Sequence, residues 1–325
     1  MTPTATARPP AETRSCARSC SSPGSSGRQR DRMRCRHGSN PCGISFPEEP
    51  RMDKDSLRRE AARQGEYYSG KVREEHDTFF GSAWWDFIRR ETARWMLAQC
   101  ARLLSADSTP WDLLDAGCGI GFTAFEMARR GGERVRRITG LDASAEALAL
   151  AETRRATLDQ RDAPRLQFLQ GNFFDHQGGP YHAVYMNEVF EHLPSAQAVF
   201  EKAGELVRPG GLLLISTPNR DRLSNRVRAL FGRAPVLLDP IHIKEYSLSD
   251  LRAAPGGWSV QALTGRQIAD EDAAGMLLSL GIGRLRALVA PAARALACNR
   301  VSHALGAAAP AFSTDLFAAY RRETR

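Results

Sequence analysis

The feature that most constrains the fold of this chain is the segment 113–121, which reads Leu-Leu-Asp-Ala-Gly-Cys-Gly-Ile-Gly. A short apolar run ends at Asp115 and is followed by Gly117, Gly119 and Gly121, after which apolar residues recur at the spacing of an α-helix. Glycine tolerates a positive φ and has no Cβ, so such a turn lets a ligand approach the backbone closely. A strand, a tight turn and a helix in this order are typical of an open α/β sheet that binds its ligand at the carboxyl ends of its strands.

The spacing of the glycines separates two classes of ligand. A dinucleotide-binding loop requires Gly-x-Gly-x-x-Gly, and counted from Gly117 the third position is Phe122, so that fingerprint fails. The pattern Asp-x-Gly-x-Gly-x-Gly resembles the first motif of the class I S-adenosylmethionine-dependent methyltransferases. In that family the loop passes the methionine part of the cofactor. The resemblance therefore implies a cofactor-binding role for Asp115, Gly117, Cys118, Gly119 and Gly121.

Three further landmarks follow in the order that this family implies. A second predicted strand ends at Asp142, next to Ala143, and a carboxylate there can accept hydrogen bonds from both hydroxyls of a ribose. A third strand runs into Asn172 and Phe173, where the resemblance implies an amide that binds the adenine amino group and an apolar side chain against the ring. A fourth strand ends near Asn187, in the segment that borders the transferable methyl group in this fold.

A turn over 206–211 and a fifth strand over 212–216 complete the pattern. Together these landmarks resemble the branch of class I methyltransferases that contains the ubiquinone-biosynthesis O-methyltransferases and many natural-product and sugar methyltransferases, over roughly residues 67–250. The resemblance implies a Rossmann-like α/β fold, with a seven-stranded, mostly parallel sheet, helices on both faces and an antiparallel last strand. We expect the sixth strand over 258–263 and the last over 315–320.

The segment Glu188-x-x-Glu191-His192, with His242 further along, contains the candidate catalytic groups. Methyl transfer needs a nucleophile held close to the methyl group, and a hydroxyl nucleophile benefits from a general base or from a metal that lowers its pKa. We interpret His192 as the base and Glu191 and His242 as further catalytic residues.

A metal site is the alternative interpretation of the same segment. If a helix begins at Asn187, Glu188, Glu191 and His192 share one of its faces. Together with His242 they would then form a divalent-metal site, in a pattern that resembles the small-RNA 2′-O-methyltransferases. A purely structural role for these residues is a third possibility.

The chain divides by composition into a polar tail and a body. Residues 1–51 are rich in Ser, Pro, Gly and Arg and have almost no periodic apolar residues, which predicts a disordered tail or a start assigned too early, with Met52 as the alternative start. A transit peptide and a zinc site at the four cysteines of this tail are less favoured, because the segment shows no amphipathic helix and no paired Cys-x-x-Cys spacing. We expect an N-terminal helical cap over 52–104, with Asp55 capping its first helix, and a methyltransferase core over 105–325.

Two insertions on the acceptor side, at about 220–250 and 268–312, have alternative interpretations. The arginines within 220–233 could receive an acidic acceptor or form a solvated helical face, which we favour. Residues 276–298 could form a lid or a surface for a hydrophobic substrate, or a helical pair that covers the sheet, which we favour. Tyr67 and Tyr68 either close over the cofactor or only dock the first helix onto the sheet.

The charge distribution and the apolar runs limit the expected partners. The net charge is +8, but residues 1–51 contain nine arginines and four acidic residues, so the body is nearly neutral and we expect no nucleic-acid partner. No apolar run reaches about 18 residues, so we expect no stable membrane insertion, and the dispersed cysteines predict a reducing, cytoplasmic setting. The resemblance implies methyl transfer to a hydroxyl of a small-molecule acceptor. Transfer to nitrogen or carbon, a 2′-O-methyltransferase of RNA, and a non-catalytic cofactor-binding subunit are the alternatives.

Overall fold

The computed structural model describes residues 52–74, 83–104, 109–268 and 300–324. The predictions made above for residues 1–51 and 276–298 lie outside the described residues. The described strands are β1 (Trp111–Ala116), β2 (Val135–Asp142), β3 (Leu166–Gln170), β4 (Tyr181–Asn187), β5 (Val207–Pro218), β6 (Trp258–Arg266) and β7 (Asp315–Arg322). The described helices are α1 (Lys54–Glu74), α2 (Ala83–Leu103), α3 (Phe122–Gly131), α4 (Ala145–Arg155), α5 (Ala196–Leu206), α6 (Leu223–Leu230), α7 (Leu248–Arg252) and α8 (Arg300–Ala308).

The seven strands form one sheet in the order β3-β2-β1-β4-β5-β7-β6. Strands β1 to β5 pair in parallel, whereas β7 lies antiparallel between β5 and β6. The predicted mostly parallel sheet with an antiparallel last strand is therefore confirmed. Because β1, β2 and β4 are neighbours and run in the same direction, the segments that follow them meet at one edge of the sheet.

Local capping explains where several helices begin. The Ser144 hydroxyl accepts a hydrogen bond from the Ala147 amide at 3.1 Å, and Ser247 forms a reciprocal capping box with Asp250. The predicted cap of α1 is wrong by two residues. The carboxylate of Asp53, not Asp55, accepts from the Ser56 amide at 2.8 Å, because α1 already begins at Lys54.

The hydrophobic core consists of two layers, one on each face of the sheet, because side chains alternate along each strand. In β1, Leu113 belongs to one layer and Leu114 to the other, and both are fully buried. Helix α2 places Met96 and Cys100 in the same layer as Leu113, so the second half of the expected N-terminal cap packs directly on the sheet. The division of the body at residue 104 stays a prediction.

The helical segments on the acceptor side differ from the expectation at one residue. Arg222 is 1% exposed and is the largest fully buried side chain of the described residues, so the solvated-face interpretation is wrong at this position. Helix α8 packs against β6, where a Cβ on Gly306 would lie 2.4 Å from the Gln267 amide nitrogen. None of the described helices combines the length and apolar character that crossing a bilayer requires.

Candidate functional site

The glycine loop after β1 has the conformation that its sequence predicts. Gly117, Gly119 and Gly121 have φ of 77°, 51° and 77°, in the region that favours glycine. A Cβ on Gly117 would lie 2.5 Å from Val189 Cγ2, and one on Gly121 would lie 2.7 Å from Phe168 Cζ, so packing excludes larger residues there. A Cβ on Gly119 would meet nothing within 4 Å. Gly119 thus presents its backbone to open space, where a ligand can approach.

Asp142 joins this loop to the end of β2. Its Oδ2 accepts a hydrogen bond from the Gly119 amide at 2.7 Å, and its Oδ1 accepts from the Ser144 amide at 2.9 Å. Burial raises the pKa of Asp142, and these backbone hydrogen bonds oppose that shift. Helix α1 lies close by, since a Cβ on Gly65 would be 2.6 Å from Ala143 Cβ. The residues predicted around the ribose, Asp142 and Ala143, are therefore half-buried, with α1 against Ala143.

Asp115 and Cys118 are buried in the same region. Burial, reinforced by the carboxylate of Asp142, raises the pKa of Asp115 to about 8. Burial and the two neighbouring carboxylates also raise the pKa of the Cys118 thiol well above its ordinary value. The thiol is therefore neutral, and Cys118 contributes packing and backbone rather than a nucleophile.

Asn172, Phe173 and Asn187 also lie at the carboxyl ends of the strands. The side chain of Asn172 accepts from the Phe174 amide at 2.9 Å and donates to the Arg58 carbonyl of α1 at 3.3 Å, while Phe173 is buried. Asn187 accepts from the Ser216 hydroxyl at 2.7 Å and donates to the Thr123 hydroxyl at 3.2 Å. Both amides are thus held in fixed orientations, and their roles toward a cofactor stay predictions.

No helix begins at Asn187, so the condition under which Glu188 would share a helix face with Glu191 and His192 is not met. Glu188 has φ of 55°, its amide donates to the Ser216 carbonyl at 3.1 Å, and its carboxylate accepts from the Ser216 hydroxyl at 2.9 Å. A 3₁₀ turn over Phe190–His192 follows instead of an α-helix. The backbone reversal at Glu188 therefore directs its carboxylate to Ser216.

Glu191, His192 and His242 form a buried cluster, hereafter the acid–histidine cluster. One ligand atom from each of these three side chains lies within 4.8 Å of the others. Among the described residues, no other group of His, Cys, Asp and Glu side chains is arranged so that it could hold a metal ion. Glu188 is not part of this compact group, and the set of four metal ligands stays a prediction. Burial, together with the charge of Glu188, raises the pKa of Glu191 well above its ordinary value.

Two sets of contacts hold the acid–histidine cluster in place. The Thr217 hydroxyl, at the end of β5, donates to Glu191 Oε2 at 2.9 Å. The Glu191 carbonyl accepts from the Ile243 amide at 3.0 Å and from the Lys244 amide at 3.2 Å. The loop that carries His242 is therefore fastened to the turn that carries His192, and the two imidazole rings meet edge to face with centroids 4.8 Å apart.

Tyr68 of α1 reaches the same cluster. Its hydroxyl lies 2.7 Å from His192 Nε2, and the two rings are perpendicular with centroids 5.2 Å apart. Burial and the charge of Glu191 raise the pKa of Tyr68 above its ordinary value, so its hydroxyl stays protonated. Tyr67 is 44% exposed, so the two tyrosines, which the sequence could not distinguish, have different environments.

Several residues of the site carry no signal that sequence reasoning detected. Thr217 and Ser216 only look like the polar end of a buried strand, and Glu245 lies three residues after His242 in a loop. The hydrogen bond between Glu245 and His242 and the ion pair between Glu245 and Arg222 depend on how the chain folds between them. A carboxylate three residues after a candidate catalytic histidine is the signal that could have been followed.

Known proteins are similar to this chain in both sequence and fold. A family described as methyltransferase domain matches residues 87–254, which is more than half of the chain. The chain belongs to this methyltransferase family. It is 35% identical over 115 residues to the ubiquinone biosynthesis O-methyltransferase of Cronobacter sakazakii. This alignment covers 34% of this chain and 44% of that protein. For the enzyme of the same name from Vibrio parahaemolyticus, the identity is 34% over 128 residues, covering 38% and 51%.

These matches span about half the length of the two relatives. Among solved structures, the magnesium protoporphyrin IX methyltransferase of Synechocystis PCC 6803 with bound SAH has a TM-score of 0.51 and 15% identity, and the match covers 81% of this chain and 100% of that one. The structural similarity confirms the Rossmann-like methyltransferase fold.

Proposed function

We propose that this chain transfers the methyl group of S-adenosylmethionine to a hydroxyl of a small-molecule acceptor, such as a quinone or phenol, a sugar or a secondary metabolite. The observation that carries the proposal is the contact between the two halves of the site. Gly117 of the glycine loop packs on Val189, directly before the turn that contains Glu191 and His192. A ligand held by the loop would therefore lie beside the acid–histidine cluster.

The residues present fit the cofactor. The backbone at Gly119 faces open space, and Asp142 lies at the end of the neighbouring strand. Burial raises the pKa values of Asp115, Asp142, Glu188 and Glu191, and a cationic ligand would favour the ionised form of such carboxylates. When bound, the cofactor supplies a methyl group that is already activated by its positive sulfur. The residues that would hold it are Asp115, Gly117, Cys118, Gly119, Gly121, Asp142, Ala143, Asn172, Phe173 and Asn187.

His192 is the general base in this proposal. Its imidazole can accept a hydroxyl proton near neutral pH. Tyr68 contacts Nε2 and orients the ring, and Glu191 Oε1 lies 3.8 Å from the same nitrogen, where a carboxylate would stabilise the imidazolium that forms. His192 is 4% exposed, which keeps bulk water away from the transfer.

A metal-assisted reaction is the second candidate, and the acid–histidine cluster itself favours it. Two imidazoles and one carboxylate form a ligand set that divalent transition metals accept. A bound metal ion would lower the pKa of the acceptor hydroxyl. In that version Glu191, His192 and His242 hold the metal, and His192 is not the base.

The charge of the body supports a small-molecule acceptor, and the cysteine pattern supports a reducing compartment. A nearly neutral body favours a small acceptor over a nucleic acid. Cys100 and Cys118 are both free and buried, in keeping with a reducing compartment such as the cytoplasm.

The test is a turnover assay with S-adenosylmethionine and a panel of phenols, catechols and sugar hydroxyls, in which the demethylated cofactor and the methylated product are both quantified. We expect a product methylated on oxygen, identified by mass spectrometry and NMR. Methylation on nitrogen or carbon would change the reaction class. Cofactor binding without any turnover would support a non-catalytic cofactor-binding subunit instead.

A further inference from the structure

Arg222 is a fully buried cation next to the acid–histidine cluster. It lies immediately before α6, is 1% exposed, and donates hydrogen bonds to the carboxylate of Glu245, to the Val236 carbonyl at 2.6 Å and to the Asn219 carbonyl at 3.3 Å. Replacing a buried ion pair by apolar residues of similar size is often neutral or stabilising, because the desolvation of the charges offsets their attraction. Stability alone therefore gives a weak account of this pair.

Glu245 connects Arg222 to His242. Its Oε2 accepts from Arg222, and its Oε1 lies 3.0 Å from His242 Nδ1 and also accepts from the Leu238 amide. Both the guanidinium of Arg222 and the amide of Leu238 can only donate, so Glu245 accepts from each of them. The carboxylate of Glu245 is thus the anionic partner of a buried arginine, with one oxygen facing His242.

The contact with the arginine-paired carboxylate of Glu245 decides which nitrogen of His242 carries the proton. A carboxylate only accepts hydrogen bonds, so the nitrogen that faces it must carry a hydrogen. In a neutral imidazole the other nitrogen then has a free electron pair. With Nδ1 held by Glu245, Nε2 is the nitrogen of His242 that remains for the acid–histidine cluster.

We infer that Arg222 and Glu245 are positioning residues that hold His242 with Nδ1 protonated and Nε2 directed at the acid–histidine cluster. The inference rests on the proposed function, because it gives His242 a part in the reaction. It holds whether Nε2 accepts a proton or binds a metal, since both need the electron pair. Arg222 acts through Glu245, which acts through His242, and neither of the two is a catalytic residue.

The direct test is the protonation of His242 in the wild-type protein. Histidine ring nitrogens labelled with ¹⁵N and observed by two-bond proton–nitrogen correlation distinguish the two neutral forms, and a His242→Asn variant assigns the signals. We expect the Nδ1–H form at neutral pH. The Nε2–H form would overturn the inference. This measurement needs no turnover and no variant of Arg222 or Glu245.

The second test removes the pair without leaving an isolated charge. In the double variant Arg222→Met with Glu245→Leu, we expect cofactor affinity within about twofold of the wild type, a mixture of the two His242 forms, and a fall in kcat of roughly 10- to 100-fold. Arg222→Met with Glu245→Gln, which keeps an acceptor for Nδ1 and leaves no buried charge unpaired, should recover most of that loss. The matched control is Arg252→Met, at an exposed arginine of α7 outside the cluster.

Wild-type kcat in the folded double variant would also overturn the inference. If the double variant does not fold, the wild-type spectrum still decides. Failure of the proposed function would give a different result. His192→Ala and His242→Asn would then keep their turnover, while the wild-type protein would still show the Nδ1–H form of His242.

Discussion

At the scale of single residues, the candidate site is a set of buried or half-buried carboxylates and imidazoles that lie at or follow the carboxyl ends of β1, β2 and β4, together with His242. Such groups are rarely buried without a purpose, because desolvation penalises their charged forms. Asp142 illustrates how the fold limits this cost, since each of its oxygens accepts a backbone amide. These contacts fix the carboxylate beside Gly119 of the glycine loop.

Asp142→Ala is predicted to weaken cofactor binding while the fold is retained. The hydroxyls of a bound ribose would lose their acceptors, and leaving buried polar groups unsatisfied costs on the order of 1–3 kcal/mol. Isothermal titration calorimetry with S-adenosylmethionine measures the change, and Asp159→Ala, at an exposed carboxylate, is the control. An unchanged affinity would show that Asp142 does not bind the ribose.

The raised pKa of Asp115 predicts a specific dependence of stability on pH. The ordinary pKa of this carboxyl is 3.8, whereas in the folded protein it is about 8. Between these values the folded state keeps a proton that the unfolded state has lost, so stability falls as pH rises from about 4 to about 8 and then levels off.

Asp115→Asn should remove this contribution, which is at most about 1.4 kcal/mol per pH unit. Urea unfolding of the ligand-free protein between about pH 5 and pH 8 tests it, and we expect a shallower decline in the variant than in the wild type. Parallel declines would mean that Asp115 is ionised in the folded state.

His192→Ala is predicted to impair the chemical step and leave cofactor binding unchanged. The imidazole lies beyond the end of β4 and next to Tyr68 and Glu191, and its loss would remove the proposed base. We expect kcat to fall by roughly 10²- to 10⁴-fold, the range that general-base catalysis contributes. The measurement pairs steady-state kinetics on an acceptor found by the panel assay with calorimetry.

Chelation distinguishes the two versions of the chemistry. We expect turnover to survive exhaustive dialysis against a chelator, because the proposal assigns the base role to His192 without a metal. Activity that disappears and returns with a divalent ion would instead make Glu191, His192 and His242 the metal ligands. If His192→Ala retains most of its turnover, both versions are wrong.

At the scale of elements, the glycine loop and α1 shape the two sides of the site. The loop exposes its backbone at Gly119, while α1 covers Ala143 and brings Tyr68 to His192. The turn over Phe190–His192 and the loop containing His242 meet through the Glu191 carbonyl. Each of these contacts joins elements that are distant in sequence.

Gly119→Ala is predicted to weaken cofactor binding more than it weakens the fold. The added Cβ would meet no protein atom within 4 Å, so it would occupy the space through which a ligand approaches the loop. Gly257 also has a positive φ and open surroundings but precedes β6, so Gly257→Ala is the matched control.

Both variants should lose roughly 1–2 kcal/mol of stability from the unfavourable φ. Only Gly119→Ala should lose cofactor affinity, by about tenfold or more, which corresponds to at least about 1.4 kcal/mol. Chemical denaturation and calorimetry measure the two quantities. Equal affinities in the two variants would show that the cofactor does not approach the loop at Gly119.

At the scale of the whole molecule, the composition predicts that folding and activity depend on the body of the chain and not on residues 1–51. Residues 1–51 contribute most of the net positive charge and almost no periodic apolar residues. A shortened protein that begins at Met52 should therefore keep the melting temperature, cofactor affinity and turnover of the full chain. Differential scanning fluorimetry and the same assays test this, and a large loss of either stability or activity would show that the tail takes part.

The sequence by itself determined the sheet, its glycine loop and the acid at the end of β2. These features depend on short-range patterns: apolar runs of strand length, glycines where φ must be positive, and a serine at a helix start. Such patterns survive in the sequence because each is dictated within a few residues. The order of the landmarks then predicted the fold, since parallel strands bring their carboxyl ends to one edge.

Only the tertiary structure decided which polar residues meet. Glu188 lies outside the compact group of Glu191, His192 and His242, because a backbone reversal turns its carboxylate toward Ser216. The pattern Glu-x-x-Glu-His contains no sign of that reversal. The sequence predicted a solvated face for Arg222, whereas the fold buries it in an ion pair with Glu245. Contacts of this kind depend on the path of loops between distant segments, and a long loop has many conformations of similar energy until packing against the rest of the molecule selects one.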